Sequence, residues 1–196
     1  MSSAHDPLRR TVMAALASLP LLGAGGAGAA DGNVRRGSDV LVAYFSRSGN
    51  TRVIAGLIHR GLHTDLFEIR PATAYPEDYL ATVEQARQER DSGFEPALEA
   101  TVPNMAAYRT LFLGFPIWGE TAPPIVRSFL SAHDLAGKTL VPFNTHGGYG
   151  LGNSRSVLAS HAPGATILDG FVLEADQERR TMEHVNKWLS GAKLAR

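Results

Sequence analysis

From residue 40 onward, short uninterrupted apolar runs alternate with longer stretches in which apolar residues return every three or four positions. The first run, residues 40–45, is too continuous for a strand wetted on one face and reads as a central parallel strand. Val53, Ile54, Leu57 and Ile58 then share one face of a helix, and Gly61 offers it a stop. Residues 65–69 read as a second strand closed by Pro71. The stretch from Pro76 to Arg90 reads as a helix with Tyr79, Leu80, Val83 and Ala86 as its buried stripe and a broad polar face opposite. Residues 111–115 form a third buried strand, and Ile125, Val126, Phe129 and Leu130 mark the helix after Pro123-Pro124. A fourth strand at 138–143, a helix at 154–161, a fifth strand at 166–172 and a last helix marked by Met182, Val185, Trp188 and Leu189 complete the series.

This alternation predicts an α/β fold: a doubly wound five-stranded parallel sheet with helices on both faces, because each parallel crossover is long and right-handed. Ligands of such sheets bind at the carboxyl ends of the strands.

Composition narrows the chemistry. Of 196 residues, 44% are hydrophobic and 19% charged, the profile of one ordinary globular domain. With 19 basic and 19 acidic side chains there is no global field to attract nucleic acid or an anionic membrane, so recognition has to be local. The absence of cysteine excludes disulfides, thiolate metal sites, iron–sulfur clusters and a cysteine nucleophile, so any redox chemistry needs a borrowed cofactor. The seven histidines form no compact cluster with carboxylates, and no metal site is expected.

Residues 1–29 read as an export signal. Arg9-Arg10 suits the twin-arginine route, a weakly apolar stretch follows, and Ala27-Gly28-Ala29 supplies a small-x-small cleavage site. Ser18, Pro20 and several glycines interrupt the apolar stretch, which is short for a bilayer span. The expectation is an exported, periplasmic protein with no membrane anchor once the signal is removed, a linker at 30–38 and a domain at 39–196.

The turn after the first strand carries the sharpest chemistry. Ser46, Arg47, Ser48, Gly49, Asn50 and Thr51 place three hydroxyls around one glycine immediately before a helix. Unpaired N–H groups at a helix start carry partial positive charge, the glycine permits close approach, and hydroxyls add donors, so the loop suits a phosphate monoester. An ordinary helix cap needs fewer hydroxyls.

In this loop the chain resembles the flavodoxin family, whose phosphate loop reads Ser/Thr-x-Ser/Thr-Gly-x-Thr directly after strand one; Ser46, Ser48, Gly49 and Thr51 match it. The likeness continues at Phe115-Pro116-Ile117-Trp118-Gly119 and at residues 144–150, where that family builds its two flavin-ring loops. The resemblance implies strand order 2-1-3-4-5, FMN as cofactor and no catalytic residue in the protein itself. It implies that Trp118 lies beside the isoalloxazine with Pro116, Ile117 and Gly119 shaping its loop. Thr145, His146, Gly147, Gly148 and Tyr149 would then meet the ring edge, with Tyr149 a second stacking candidate. Glu120 departs from the family pattern; aimed at the ring, it would disfavour an anionic reduced flavin and lower the reduction potential.

The function expected is electron transfer through non-covalently bound FMN, with a redox partner protein or a small-molecule acceptor. The alternatives are an NAD(P)H-dependent FMN reductase acting on quinones or flavins, and a non-redox exported module for another phosphorylated ligand. Two further motifs fail: Gly137-Lys138-Thr139 lacks the earlier glycine of a Walker loop, and Gly150-Leu151-Gly152 has Arg155 where a dinucleotide fingerprint needs its third glycine.

Overall fold

Alternate residues of each apolar run point to opposite faces of one sheet, and both faces are covered. The computed structural model describes residues 37–174, Val185 and residues 187–191. The predicted export signal, the linker up to residue 36 and Met182 lie outside the described residues.

In chain order the elements are β1 (Val40–Tyr44), α1 (Asn50–Leu62), β2 (Asp65–Glu68), α2 (Tyr79–Ser92), β3 (Thr110–Pro116), α3 (Pro124–Ser131), β4 (Thr139–His146), α4 (Ser154–His161), β5 (Thr166–Ile167) and β6 (Phe171–Glu174). All pairings are parallel, in the order β2-β1-β3-β4-β5, with β6 also on β4. Among the described residues no helix is long and apolar enough to cross a membrane.

Leu41 and Ala43 of β1, Leu111, Leu113 and Phe115 of β3 and Leu140 of β4 pack with Ile125, Val126, Phe129 and Leu130 of α3 and with Val157 and Leu158 of α4. Val42, Tyr44, Phe112, Val141 and Phe143 face the other way, onto Ile54, Ala55 and Ile58 of α1 and onto Val185, Trp188 and Leu189 from the C-terminal helical residues. Phe112, Phe115, Phe129 and Phe143 are fully buried, and each such ring stabilises the fold by about 1.5–3 kcal/mol relative to exposure. Gly114 is required where it stands, since a Cβ there would lie 2.1 Å from ring carbons of Phe143 on the neighbouring strand.

The predicted fifth strand is two pieces. The carbonyls of Lys138 and Leu140 accept from Thr166 N–H and Leu168 N–H, so Pro142, two residues on, turns its edge to the same neighbour but has no N–H to offer. Pairing lapses there and resumes at Phe143 with Phe171. Gly170 passes so near that a Cβ would meet the Pro142 carbonyl oxygen.

Four helix expectations need correction. Helix α1 runs past Gly61 to Leu62 and closes on His63 in the left-handed region (φ 53°). Val53, expected on its buried face, is exposed. Helix α2 starts at Tyr79, not after Pro76, because Asp78 is the residue whose side chain caps it, accepting from Ala81 N–H at 2.8 Å. Its buried face is Thr82, Ala86 and Glu89, while Tyr79, Leu80 and Val83 stand 67%, 73% and 46% exposed. Burial of Thr82 and Glu89 is tolerated because both are satisfied: the Thr82 hydroxyl lies within reach of the Pro76 and Asp78 carbonyls, and Glu89 accepts from Tyr75 Oη and Gln85 Nε2, each at 2.8 Å.

Candidate functional site

The carboxyl ends of β1, β3 and β4 open into one cleft of about 810 Å³. Arg47, Ser48 and Thr51 line one part of it. Pro116 to Thr121 line another, with His146, Gly147 and Tyr149 from the β4 end, and α2 supplies a further wall.

At the first part, Gly49 is the residue before α1 and adopts φ 97°, a conformation open to glycine at little cost. No side chain caps the helix and no acid stands in its first turn, so its leading N–H groups keep their partial positive charge. The space beside the Gly49 Cα is open, with nothing within 4 Å of the position a Cβ would take. Ser46 braces the turn from within, accepting from Gly49 N–H at 3.1 Å. Ser48 is exposed into the cleft. Arg47 is held away from the turn, donating to the Glu77 carbonyl at 2.6 Å and lying 5.9 Å from the Tyr79 ring centre.

Thr51 is buried, and its hydroxyl shares a 3.0 Å hydrogen bond with that of Thr145. Thr145 and His146, expected in a loop, are the last two residues of β4. Thr145 is buried and does not line the cleft, so its hydroxyl serves the first turn of α1 rather than a ring edge. Ser46, Gly49, Asn50 and Gly148 likewise stand around the cleft without lining it.

Trp118 is half-buried, edge-on to Phe45 (5.2 Å between ring centres) and to Tyr75 (5.1 Å). Burial, and then the Glu89 carboxylate that accepts its proton, push the Tyr75 phenol well above its ordinary pKa, so Tyr75 is neutral and donates. Trp118 and Thr121 exchange two backbone bonds across a two-residue turn, Gly119-Glu120, in which both central residues have positive φ (56° and 63°). The Glu120 carbonyl accepts from Asn153 N–H at 2.9 Å, and Gly152 lies beneath it where no Cβ fits. The turn is therefore clamped by the segment that leads into α4.

His146 orders the last loop: its Nδ1 accepts from Gly148 N–H and Gly150 N–H at 3.0 and 3.3 Å. In the neutral ring the proton is then on Nε2, free to donate. Tyr149 is 81% exposed at the mouth of the cleft.

The wall from α2 consists of Tyr79, Thr82, Val83, Ala86, Arg87 and Arg90, none of which the sequence reading assigned to a site. A signal was present, since these residues recur at helical spacing; their apolar members read as core because nothing local tells a core face from a cleft face. Thr121 was also missed: it is buried, lines the cleft and has a hydroxyl with no hydrogen-bond partner among the described residues.

Comparison with known proteins agrees with the fold. Residues 39–192 match a family model described as Flavodoxin. A solved structure from Bacteroides eggerthii, described as a flavoprotein, is 32% identical over 80% of this chain and 98% of its own, with a TM-score of 0.69. Another from Bacteroides uniformis is 33% identical over 79% of this chain and 99% of its own, also at 0.69. A flavoprotein in complex with FMN from Lactobacillus acidophilus shares the fold at 19% identity, covering 74% of this chain and 97% of its own with a TM-score of 0.60. No curated protein matches the chain.

Proposed function

The chain belongs to the flavodoxin family, and on that premise we propose that it carries FMN non-covalently and transfers electrons through it outside the cytoplasm. The observation that carries the cofactor reading is the start of α1: uncapped, free of acid, opened by Gly49 and flanked by Ser48 and Thr51 at a cleft whose opposite side is aromatic. Such a donor set fits a dianionic ester, and Trp118 and the loop after β4 fit a planar ring.

When bound, the flavin supplies one- and two-electron chemistry. The chain's own residues have simpler tasks. Ser48, Thr51 and the leading amides of α1 hold the phosphate end. Trp118, fixed by Phe45 and Tyr75, presents an aromatic wall. His146 Nε2–H offers a donor to a ring edge, and Gly147 beside it lines the cleft without a side chain in the way. Export by the twin-arginine route rests on Arg9-Arg10 and the residues after them. It suits a protein that folds around its cofactor before crossing a membrane.

The test is the absorbance spectrum of the purified protein followed by FMN titration of the flavin-free form. Ser48→Ala combined with Thr51→Ala is expected to weaken FMN far more than riboflavin, and equal losses would refute the phosphate role. Cell fractionation of the full chain against Arg9→Lys with Arg10→Lys tests export, with the variant expected to stay in the cytoplasm.

A further inference from the structure

The wall built by α2 has no task in holding a phosphate. Its apolar members Tyr79 and Val83 are solvent-exposed on the cleft side. Exposed apolar groups rimmed by charge mark ligand grooves. One and two turns further along the same helix stand Arg87 and Arg90. The carboxylates that bind these guanidiniums, Glu84 and Asp91, do not line the cleft. They hold Arg87 and Arg90 from the side, and Arg90 Nη1 is additionally placed 3.5 Å from the Gly119 carbonyl in the turn after Trp118. Among the described residues, the charged side chains lining the cleft are thus Arg47, Arg87 and Arg90 against Glu120, together with the imidazole of His146. Arg47 belongs to the phosphate loop and is bound to the Glu77 carbonyl. Arg87 and Arg90 face the space between Trp118 and α2.

We propose that the α2 wall is a second subsite, beside the flavin, for a small planar conjugated molecule bearing an acidic group. Tyr79, Val83 and Ala86 take its apolar plane, and Arg87 and Arg90 take its carboxylate or sulfonate. The proposal rests on the flavin reading and names the class of small redox partner that reaches the same cleft. Guanidiniums already oriented by carboxylates bind an anion without first losing side-chain freedom.

The experiment is calorimetric titration of the FMN-loaded full chain at low salt with naphthalene-2-sulfonate and with its neutral isostere naphthalene-2-sulfonamide. The sulfonate is expected to bind at least tenfold more tightly, and Arg87→Gln with Arg90→Gln to erase that preference while FMN affinity stays within about threefold. Tyr79→Ser is expected to weaken both compounds alike. Equal affinities in the unmodified protein, a preference that survives the double variant, or displacement of FMN by the sulfonate would each overturn the subsite. A protein that binds no FMN would instead end the flavin reading, and the sulfonate preference remains measurable on that protein.

Discussion

Glu68 stands at the end of β2 between two guanidiniums, bonded to Arg52 and, at 2.7 Å, to Arg70. Burial pushes its carboxyl up, but the bonds from Arg52 and Arg70 outweigh that and hold it below its ordinary value. A carboxyl depressed in the folded state stabilises the protein above its unfolded pKa, and that contribution fades as pH falls through the folded value. The stability advantage over Glu68→Gln is therefore expected to be full near neutrality and to shrink in acid, which urea midpoints at pH 7 and pH 3 would measure. Glu120 acts on the cleft instead. Its φ of 63° is unusual for a residue with a Cβ, and its side chain is exposed at the cleft lining. Glu120→Gln removes a negative charge that opposes added negative charge on a reduced ring, so the midpoint potential is expected to rise, by less in high salt. A midpoint unchanged at low salt would show that Glu120 points elsewhere.

Among the elements, β3 and β4 are joined most closely, and Gly114 lies flat beneath Phe143. Gly114→Ala forces that ring out of place and is expected to cost about 2 kcal/mol in chemical denaturation. The Thr51–Thr145 hydroxyl bond ties α1 to β4. Thr145→Val keeps the shape, leaves Thr51 without its partner and is expected to cost ~1–2 kcal/mol, with Thr145→Ser recovering most of it.

The central strands β1, β3 and β4 were readable because their consecutive apolar residues are buried on both faces and their runs are too short for helices. Helix α2 was readable as a helix but not in its orientation. Its core face contains Thr82 and Glu89, made acceptable by bonds to Pro76, Tyr75 and Gln85 that depend on how the preceding segment folds back. The candidate loop at residues 46–51 was legible because its hydroxyls and glycine are contiguous. The cleft wall on α2 was not, because Tyr79, Val83, Arg87 and Arg90 gain meaning only opposite Trp118, which a separate part of the chain supplies. The break in the fifth strand had its cause in plain view at Pro142, but which neighbour would miss the N–H depends on the register of β4.

At the scale of the whole molecule, the cleft draws on β1, β3, β4 and α2, so a ligand that fills it stabilises all of them together. FMN at a hundredfold excess over its dissociation constant is expected to add about 2.7 kcal/mol to the unfolding free energy. Thermal melts at two FMN concentrations should show a concentration-dependent rise, with riboflavin giving less at equal concentration. A melting curve indifferent to both would mean that the cleft takes no flavin.

The gap opposite Pro142 has a further effect. The outer margin of a sheet offers unpaired backbone groups to any passing chain, and long straight margins invite aggregation. Here, among the described residues, that margin consists of Thr166–Ile167 and Phe171–Glu174, two short lengths paired to β4 in registers one residue apart. Neither is long, so the proline that weakens the last pairing also shortens the stretch of backbone that a passing chain could pair with.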